Sequence, residues 1–334
     1  MITIAINGFG RIGRTFLRVL LNTPTAASGI NVAAINIGRG SITDITYAIK
    51  YDSLMGTYTG TCELNGNILT VGSYTITVLA TTDSSQLPWR ELGIDWVVDA
   101  TGKFTKRQEA EQHRAQGADR VLITAPATDE DVSIIPGVND AAYDATKHRI
   151  ISLGSCTTNA LVPLLHVIDK EFGIEQCLFT TIHAYTNSQV LLDVEAKDLR
   201  DSRAAAINII PSTTGASKMV GKILPQLENK ISGSSVRVPV AKVSLIDIVA
   251  QCRTAVSSNE INQRITAATT TYMQGIISST KEPLVSSDFY GNAHSVILDM
   301  PLTQVSGSMI KVVGWYDNEW GYACRLRDFL QSMR

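Results

Sequence analysis

Cys156 and His183 are the residues best equipped for chemistry. Cys156 stands in Ser155-Cys156-Thr157-Thr158-Asn159, at the predicted start of a helix. There the helix dipole and free backbone N–H groups favour a thiolate. His183 lies in Thr181-Ile182-His183-Ala184-Tyr185-Thr186 at a predicted strand end, from which it can pair with a thiol across the fold. Taken singly, a cysteine is more often a small buried hydrophobe, and a strand histidine more often structural. A third feature shifts that balance: Gly8-Phe9-Gly10-Arg11-Ile12-Gly13 falls between a predicted strand and a helix. In such a turn the first glycine permits the tight bend, the second lets backbone approach a pyrophosphate, and the third allows close helix–strand packing. A thiol, an imidazole and a dinucleotide turn together point to aldehyde oxidation through a covalent sulfur adduct. A cysteine hydrolase would leave the glycine turn without a role.

The end of the second strand bears on which dinucleotide binds. An acid usually stands there, ~20 residues beyond the glycines, to bind the ribose 2′-hydroxyl. Here the position is Ile37, and residues 1–43 contain no Asp or Glu but do contain Arg11, Arg14, Arg18 and Arg39. Without a carboxylate a 2′-phosphate meets no repulsion, and Arg39 supplies a cationic partner. The expected cofactor is therefore NAD or NADP, with relaxed specificity.

These groups need a scaffold to position them. Ile2–Asn7 reads as a strand, Arg11–Asn22 as a helix with Ile12, Phe16, Val19 and Leu20 on one face, and Asn31–Asn36 as a second, parallel strand. Trp96–Ala100, Lys103–Gly117 and Arg120–Thr124 repeat the strand–helix–strand pattern, while Thr57–Leu79, with its Asn65-Gly66 turn, predicts hairpins. Near residue 155 the pattern changes. A helix over about Thr157–Lys170, kinked at Pro163, precedes the alternating runs Ser235–Cys252 and Ser295–Met300 and the run Met309–Tyr316. Ser257–Glu260 carries a capping-box signature. The expected fold is an α/β Rossmann-type dinucleotide-binding domain over 1–154 and an α+β catalytic domain over 155–318. The second domain is built on a mostly antiparallel or mixed sheet, and a C-terminal helix over 319–334 returns to the first.

Composition sets outer bounds. At 334 residues and ~150 per domain, two domains are expected. With 44% apolar and 18% charged residues the chain is not disordered, and a net charge of −2 gives no field for nucleic acid. The five cysteines are scattered, without a CxxC pair, which argues against a disulfide framework or zinc site and for a reducing, cytoplasmic setting. No apolar run reaches the ~18 residues of a membrane helix, and the N-terminus lacks the basic head and cleavage site of a signal peptide. His113, His148, His166 and His294 read as structural or surface residues.

Along nearly its whole length the sequence resembles the phosphorylating glyceraldehyde-3-phosphate dehydrogenases. The motifs, in order, are Asn7–Arg14 (NGFGRIGR), Lys50–Ser53 (KYDS), Thr101-Gly102, Ala125–Ala127, Gly137–Asn139, Ser155–Asn159 (SCTTN) and Thr180–Thr186 (TTIHAYT). Arg203–Ala206, Thr213–Ala216 (TTGA), Arg237–Pro239 and Trp315–Tyr322 (WYDNEWGY) follow. The resemblance implies that Cys156 attacks the aldehyde of a triose phosphate while His183 acts as acid and base. It implies that hydride leaves for the nicotinamide and inorganic phosphate releases the acyl group as 1,3-bisphosphoglycerate. It places the cofactor on Asn7, Gly8, Gly10, Arg11, Ile12, Gly13, Ile37, Arg39, Thr101, Gly102, Thr124 and Asn318. Ser155, Thr157, Thr214 and Gly215 would surround the attacking phosphate, and Thr186, Ser188, Arg200 or Arg203, and Arg237 the substrate phosphate. A homotetramer is implied, with the 187–202 loop beside a neighbouring cofactor site; neither membrane nor nucleic acid is required.

Several positions depart from the pattern. Ser188 stands in place of the usual Asp, Leu153-Gly154 of Asn-Ala, Ala160 of a second cysteine, and Val194-Glu195 of Leu-Pro. Loss of Leu-Pro agrees with Ile37 on a relaxed cofactor site, whereas Glu195 has the wrong charge for a 2′-phosphate. The acid-free first strand–helix–strand unit sits next to the ribose and carries more weight. The closest alternative is an erythrose-4-phosphate dehydrogenase; one of another class is a non-catalytic binding protein on the same fold.

Overall fold

The computed structural model describes residues 1–25 and 27–333. The chain forms two compact units, Met1–Gly154 joined by the chain from Ala323 onward, and Ser155–Tyr322.

In the first unit, β1 (Ile2–Asn7), α1 (Arg11–Asn22) and β2 (Ile30–Asn36) make the opening strand–helix–strand unit, with β1 and β2 parallel. The inner face of α1 buries Phe16, Leu17, Val19 and Leu20, each contributing about 1.5–3 kcal/mol. After α2 (Ile45–Lys50) come β3 (Cys62–Asn65), β4 (Ile68–Val71) and β5 (Tyr74–Leu79). β3–β4 and β4–β5 are antiparallel, as the hairpin signals predict, and β5 joins β2 in parallel. Next are β6 (Trp96–Asp99), α3 (Arg107–Ala115), β7 (Arg120–Ile123), β8 (Val132–Ser133) and β9 (Ile150–Ser152). The sheet order is β3-β4-β5-β2-β1-β6-β7-β9-β8. Strand order reverses between β1 and β6, the switch point where such sheets open a ligand crevice. Helix α3 starts later than the predicted Lys103. The Glu109 carboxylate accepts the Thr105 and Lys106 N–H groups at 3.0 Å each and so sets its first turn.

The second unit opens with α4 (Cys156–Phe172), β10 (Ile174–Ala184) and β11 (Ile210–Ser212). The helix continues through Pro163. Next are α5 (Ala216–Ile223), β12 (Ile231–Val238), β13 (Ser244–Cys252), α6 (Ser258–Thr269) and β14 (Ile277–Thr280), then β15 (Val296–Asp299), β16 (Gln304–Ser306) and β17 (Met309–Tyr316). The sheet runs β11-β12-β10-β13-β17-β15-β14, with β16 on β17, and is mixed: β10 and β12 are parallel, β13 and β17 antiparallel to their neighbours. The single run predicted over Ser235–Cys252 is two strands, parted by Pro239, which lacks an N–H to donate, and by Val243 at φ +68°. The closing helix α7 (Trp320–Ser332) spans the division between the units, and Arg334, the end of the predicted 319–334 helix, lies outside the described residues. In the first unit Phe329 of α7 meets Trp96 edge-on at 5.8 Å, and Arg327 donates to Thr23 Oγ1 at 3.0 Å.

Candidate active site

In the first unit the glycine turn has a geometry that only glycine allows. Gly8 has φ +94°, and a Cβ there would lie 2.8 Å from Thr101; a Cβ on Gly13 would lie 2.1 Å from the Gly8 carbonyl oxygen. Gly10, by contrast, faces open space. It precedes a helix with neither a side-chain cap nor an acid in its first turn, so the positive end of α1 is left for an anion. Gly8 and Gly10 border a cleft of about 310 Å³, shared by Asn7, Ile37, Arg39, Thr101 and Lys103. Sequence reasoning overlooked Lys103; its place two residues after Thr101 was the available signal. Arg11 turns away to pair with Asp52 of the KYDS motif.

A buried polar network beneath the cleft fixes its floor. Asn7 donates to Asp99 Oδ2 at 2.8 Å, and Asn36 donates to Asn7 Oδ1 at 2.7 Å. The Asn36 Oδ1 accepts the Gly38 and Thr81 N–H groups at 3.2 and 3.1 Å, which steers Ile37 and Arg39 to the rim. Trp89 donates to His113 Nδ1 at 3.0 Å, so the His113 proton sits on Nε2 and points to Asp99 at 3.3 Å. Asp99 Oδ1 also takes the Thr101 hydroxyl at 2.7 Å, Gly102 follows at φ +67°, and the Thr124 N–H donates to the Asp99 carbonyl at 3.0 Å. The cradle and its floor fit a dinucleotide.

In the second unit α4 begins at Cys156. Ser155 caps it, its hydroxyl accepting the Thr158 N–H at 3.1 Å. His183 lies on β10, in register with Arg237 on the parallel β12. Cys156 Sγ lies 3.5 Å from His183 Nε2, and His183 Nδ1 lies 2.6 Å from both the Ala184 carbonyl oxygen and Arg237 Nη1. The thiol, the imidazole and the guanidinium therefore form one cluster.

Burial dominates the electrostatics. It pushes the Cys156 thiol above its usual range, and the opposing pull of the Arg237 charge and the local N–H groups is smaller. The sequence-based expectation of a helix-stabilised thiolate is corrected on this point. Burial, then the nearby Arg237 charge, lowers His183 to about 4, against the backbone carbonyl that favours its charged form. Tyr316, missed from the sequence, closes the cluster. Its hydroxyl lies 2.7 Å from Thr181 Oγ1 and 3.1 Å from Thr157 Oγ1, and its ring is edge-on to His183 at 6.0 Å. The alternation of β17 could have found it.

The other predicted phosphate ligands lie in the same unit. Thr186 and Ser188 join through their hydroxyls at 2.9 Å just past the end of β10. The Thr214 hydroxyl accepts the Ala216 N–H at 3.2 Å, and Gly215, at the start of α5, opens onto free space. Arg203 is exposed and paired with Asp193 at 2.7 Å, and Arg200 is exposed as well; neither is in the Cys156 cluster. Asn318 Oδ1 accepts the Val243 N–H at 3.0 Å, which fixes the orientation of its amide.

Comparison with known proteins gives two family matches. The family described as Glyceraldehyde 3-phosphate dehydrogenase, NAD binding domain, matches residues 2–107, and Glyceraldehyde 3-phosphate dehydrogenase, C-terminal domain, matches residues 155–318. The chain is 45% identical over 328 residues to glyceraldehyde-3-phosphate dehydrogenase 2 of Streptomyces avermitilis, covering 98% of this chain and 97% of that one. It is 45% identical over 334 residues to glyceraldehyde-3-phosphate dehydrogenase 2 of Bacillus subtilis, covering 99% and 96%. To the glyceraldehyde-3-phosphate dehydrogenase of Geobacillus stearothermophilus it is 44% identical over 331 residues, covering 98% and 96%.

Proposed function

This chain belongs to the glyceraldehyde-3-phosphate dehydrogenase family, and from that premise we propose that Cys156 and His183 perform its chemistry. The protein is an NAD-dependent oxidoreductase with glyceraldehyde-3-phosphate dehydrogenase activity. The tetrose-phosphate and non-catalytic alternatives are not favoured. The observation that carries the residue assignment is the 3.5 Å approach of Cys156 Sγ to His183 Nε2.

Cys156 attacks the aldehyde carbon. A C–S bond forms, the thiol proton passes to His183 Nε2, and the imidazolium returns a proton to the developing oxyanion as a thiohemiacetal forms. The Cys156 backbone N–H helps to hold that oxygen. NAD, when bound, supplies a hydride acceptor. As the carbonyl is restored His183 Nε2 takes back the hydroxyl proton, and Cys156 retains the acyl group as a thioester until phosphate, held by Ser155, Thr157, Thr214 and Gly215, attacks its carbonyl and the sulfur leaves as a thiolate. Arg237, Thr186 and Ser188 hold the phosphate of the substrate, with Arg200 or Arg203; guanidinium forks suit phosphate oxygens.

In this reading, 1–154 is the dinucleotide-binding domain and 155–318 the catalytic domain. Gly8, Gly10, Gly13 and the backbone of Arg11 and Ile12 at the start of α1 receive the pyrophosphate, Asn7, Thr101, Gly102 and Thr124 line the cofactor, and Asn318 orients the nicotinamide amide. NADP is accepted beside NAD, because Ile37 and Arg39 border the cleft where an acid would repel a 2′-phosphate. A homotetramer is supported by the exposed apolar side chains Leu191, Leu192, Leu199, Ile207 and Ile209, which a neighbouring subunit would cover. Five free cysteines support a cytoplasmic setting. No helix among the described residues is long and apolar enough to cross a membrane. Steady-state rates with glyceraldehyde 3-phosphate, NAD or NADP, and with or without inorganic phosphate, test the whole reading. Sustained turnover without phosphate, or rejection of NADP by several hundredfold, would contradict the corresponding part.

A further inference from the structure

β13 and β17 pair antiparallel, and their ladder ends where Ser244 meets Tyr316. Beyond that pair, side chains tie the two flanking dipeptides, Lys242-Val243 and Asp317-Asn318. Lys242 Nζ lies 3.0 Å from Asp317 Oδ2, and the Val243 N–H donates to Asn318 Oδ1 at 3.0 Å. Lys242 and Val243 are consecutive, as are Asp317 and Asn318, so the first tie fixes the partners of the second. Asp317 is the hub. Its Oδ1 accepts the Glu319 and Trp320 N–H groups at 3.1 and 2.9 Å, and its Oδ2 the Gly291 N–H at 2.8 Å. The buried Lys242 ammonium completes the set, 5.6 and 5.9 Å from the ring centres of Tyr290 and Trp320.

A buried ion pair is a weak source of stability; its geometry here has another use. Val243 stands at φ +68°, a conformation that a β-branched residue keeps only where its surroundings impose it. The Lys242 tie on one side and packing against Phe289 and Ile297 hold it there. In that conformation its N–H meets Asn318 Oδ1, to which the Ser244 hydroxyl also donates at 3.4 Å. With Oδ1 so engaged, Nδ2 is the end of the amide left for a ligand. A flipped amide would set Nδ2 against the Val243 N–H, donor to donor. We propose that Lys242 is a positioning residue for the cofactor: through Asp317 and Val243 it keeps Asn318 a hydrogen-bond donor to the nicotinamide amide, and so keeps the ring in one orientation. The inference rests on the reading of Asn318 as the residue that orients that amide. Without the tie, Val243 relaxes out of its left-handed conformation and its N–H leaves Oδ1. Asn318 then offers oxygen or nitrogen alike, and the ring presents either face.

The orientation can be read without turnover. Transferred NOE spectra of NAD on the full-length enzyme report whether the ribose anomeric proton lies near the nicotinamide proton at C2 or the one at C6. Calorimetry gives NAD affinity, and urea unfolding follows stability. The variants are Asn318→Ala, Lys242→Met, and Lys242→Met combined with Asp317→Asn. The double variant removes both buried charges, so it regains stability lost in Lys242→Met without restoring the tie. The wild type should show one of the two proton contacts. All three variants should show both, with NAD affinity weakened about 3–10-fold, the loss of one hydrogen bond. One orientation and unchanged affinity in the double variant, beside both orientations in Asn318→Ala, overturns the role of Lys242 while the reading of Asn318 stands. A single orientation in Asn318→Ala overturns the inference because that reading fails. Both orientations in Lys242→Met that revert to one in the double variant assign the effect to a stranded charge and overturn it too, as do both orientations in the wild type.

Discussion

The Cys156 sulfur and the His183 Nε2 atom meet at 3.5 Å, in surroundings that favour the neutral form of each. Burial raises the thiol and lowers the imidazole, so it disfavours the charged form of each.

Alkylation of Cys156 by iodoacetamide therefore keeps accelerating as pH rises beyond the range where an ordinary thiol levels off. Mass mapping of the modified peptide against pH checks this. A plateau reached below neutral pH would show a stored thiolate.

Replacing His183 by Asn removes the base while preserving size. We expect kcat to fall by about 10²–10⁴-fold, with glyceraldehyde 3-phosphate KM changed far less. Steady-state kinetics across pH reads both quantities.

The same histidine affects acid stability. Its folded value of about 4 lies below the ordinary 6.5, so between those limits the unfolded chain binds the extra proton. Stability is full above about 6.5 and declines as pH falls toward 4, by about 3 kcal/mol at most. Urea unfolding of wild type and His183→Asn at pH 7.5 and 4.5 should show a smaller loss in the variant.

Cofactor choice rests on the rim of the first-unit cleft. Ile37→Asp restores a carboxylate and should cut kcat/KM with NADP by about 10–100-fold while sparing NAD. Arg39→Ala should lower NADP use by about tenfold, the loss of one charge-assisted hydrogen bond. Paired kinetics with the two cofactors measures each effect.

Lys242 and Asp317 form a buried ion pair at 3.0 Å, with the ammonium 5.6 Å from the centre of the Tyr290 ring. Removing one buried partner strands the other charge. Lys242→Met should cost about 3 kcal/mol in denaturant unfolding.

The sequence made legible those features whose residue types are dictated locally. Gly8 and Gly13 must be glycine because their backbones leave no room for a side chain, and the Ser155–Asn159 run announces a capped helix start around a thiol. Features that depend on distant pairing were hidden. The contact of Arg237 with His183 arises from a parallel register between β10 and β12, which no local pattern encodes. The low thiol pKa expected of a helix N-terminus failed because burial, which local sequence does not display, outweighs the dipole. Tyr316 and Lys242 escaped notice for a related reason, since an aromatic or a lysine in a strand-rich segment reads as packing or surface until the fold buries it, Tyr316 against His183 and Lys242 against Asp317.

The most direct test omits the second substrate. Enzyme mixed with NAD and glyceraldehyde 3-phosphate, without inorganic phosphate, should form one NADH per subunit and stop, with the phosphoglyceroyl mass on the peptide containing Cys156. A burst without that adduct, or an adduct on another residue, would contradict the role assigned to Cys156.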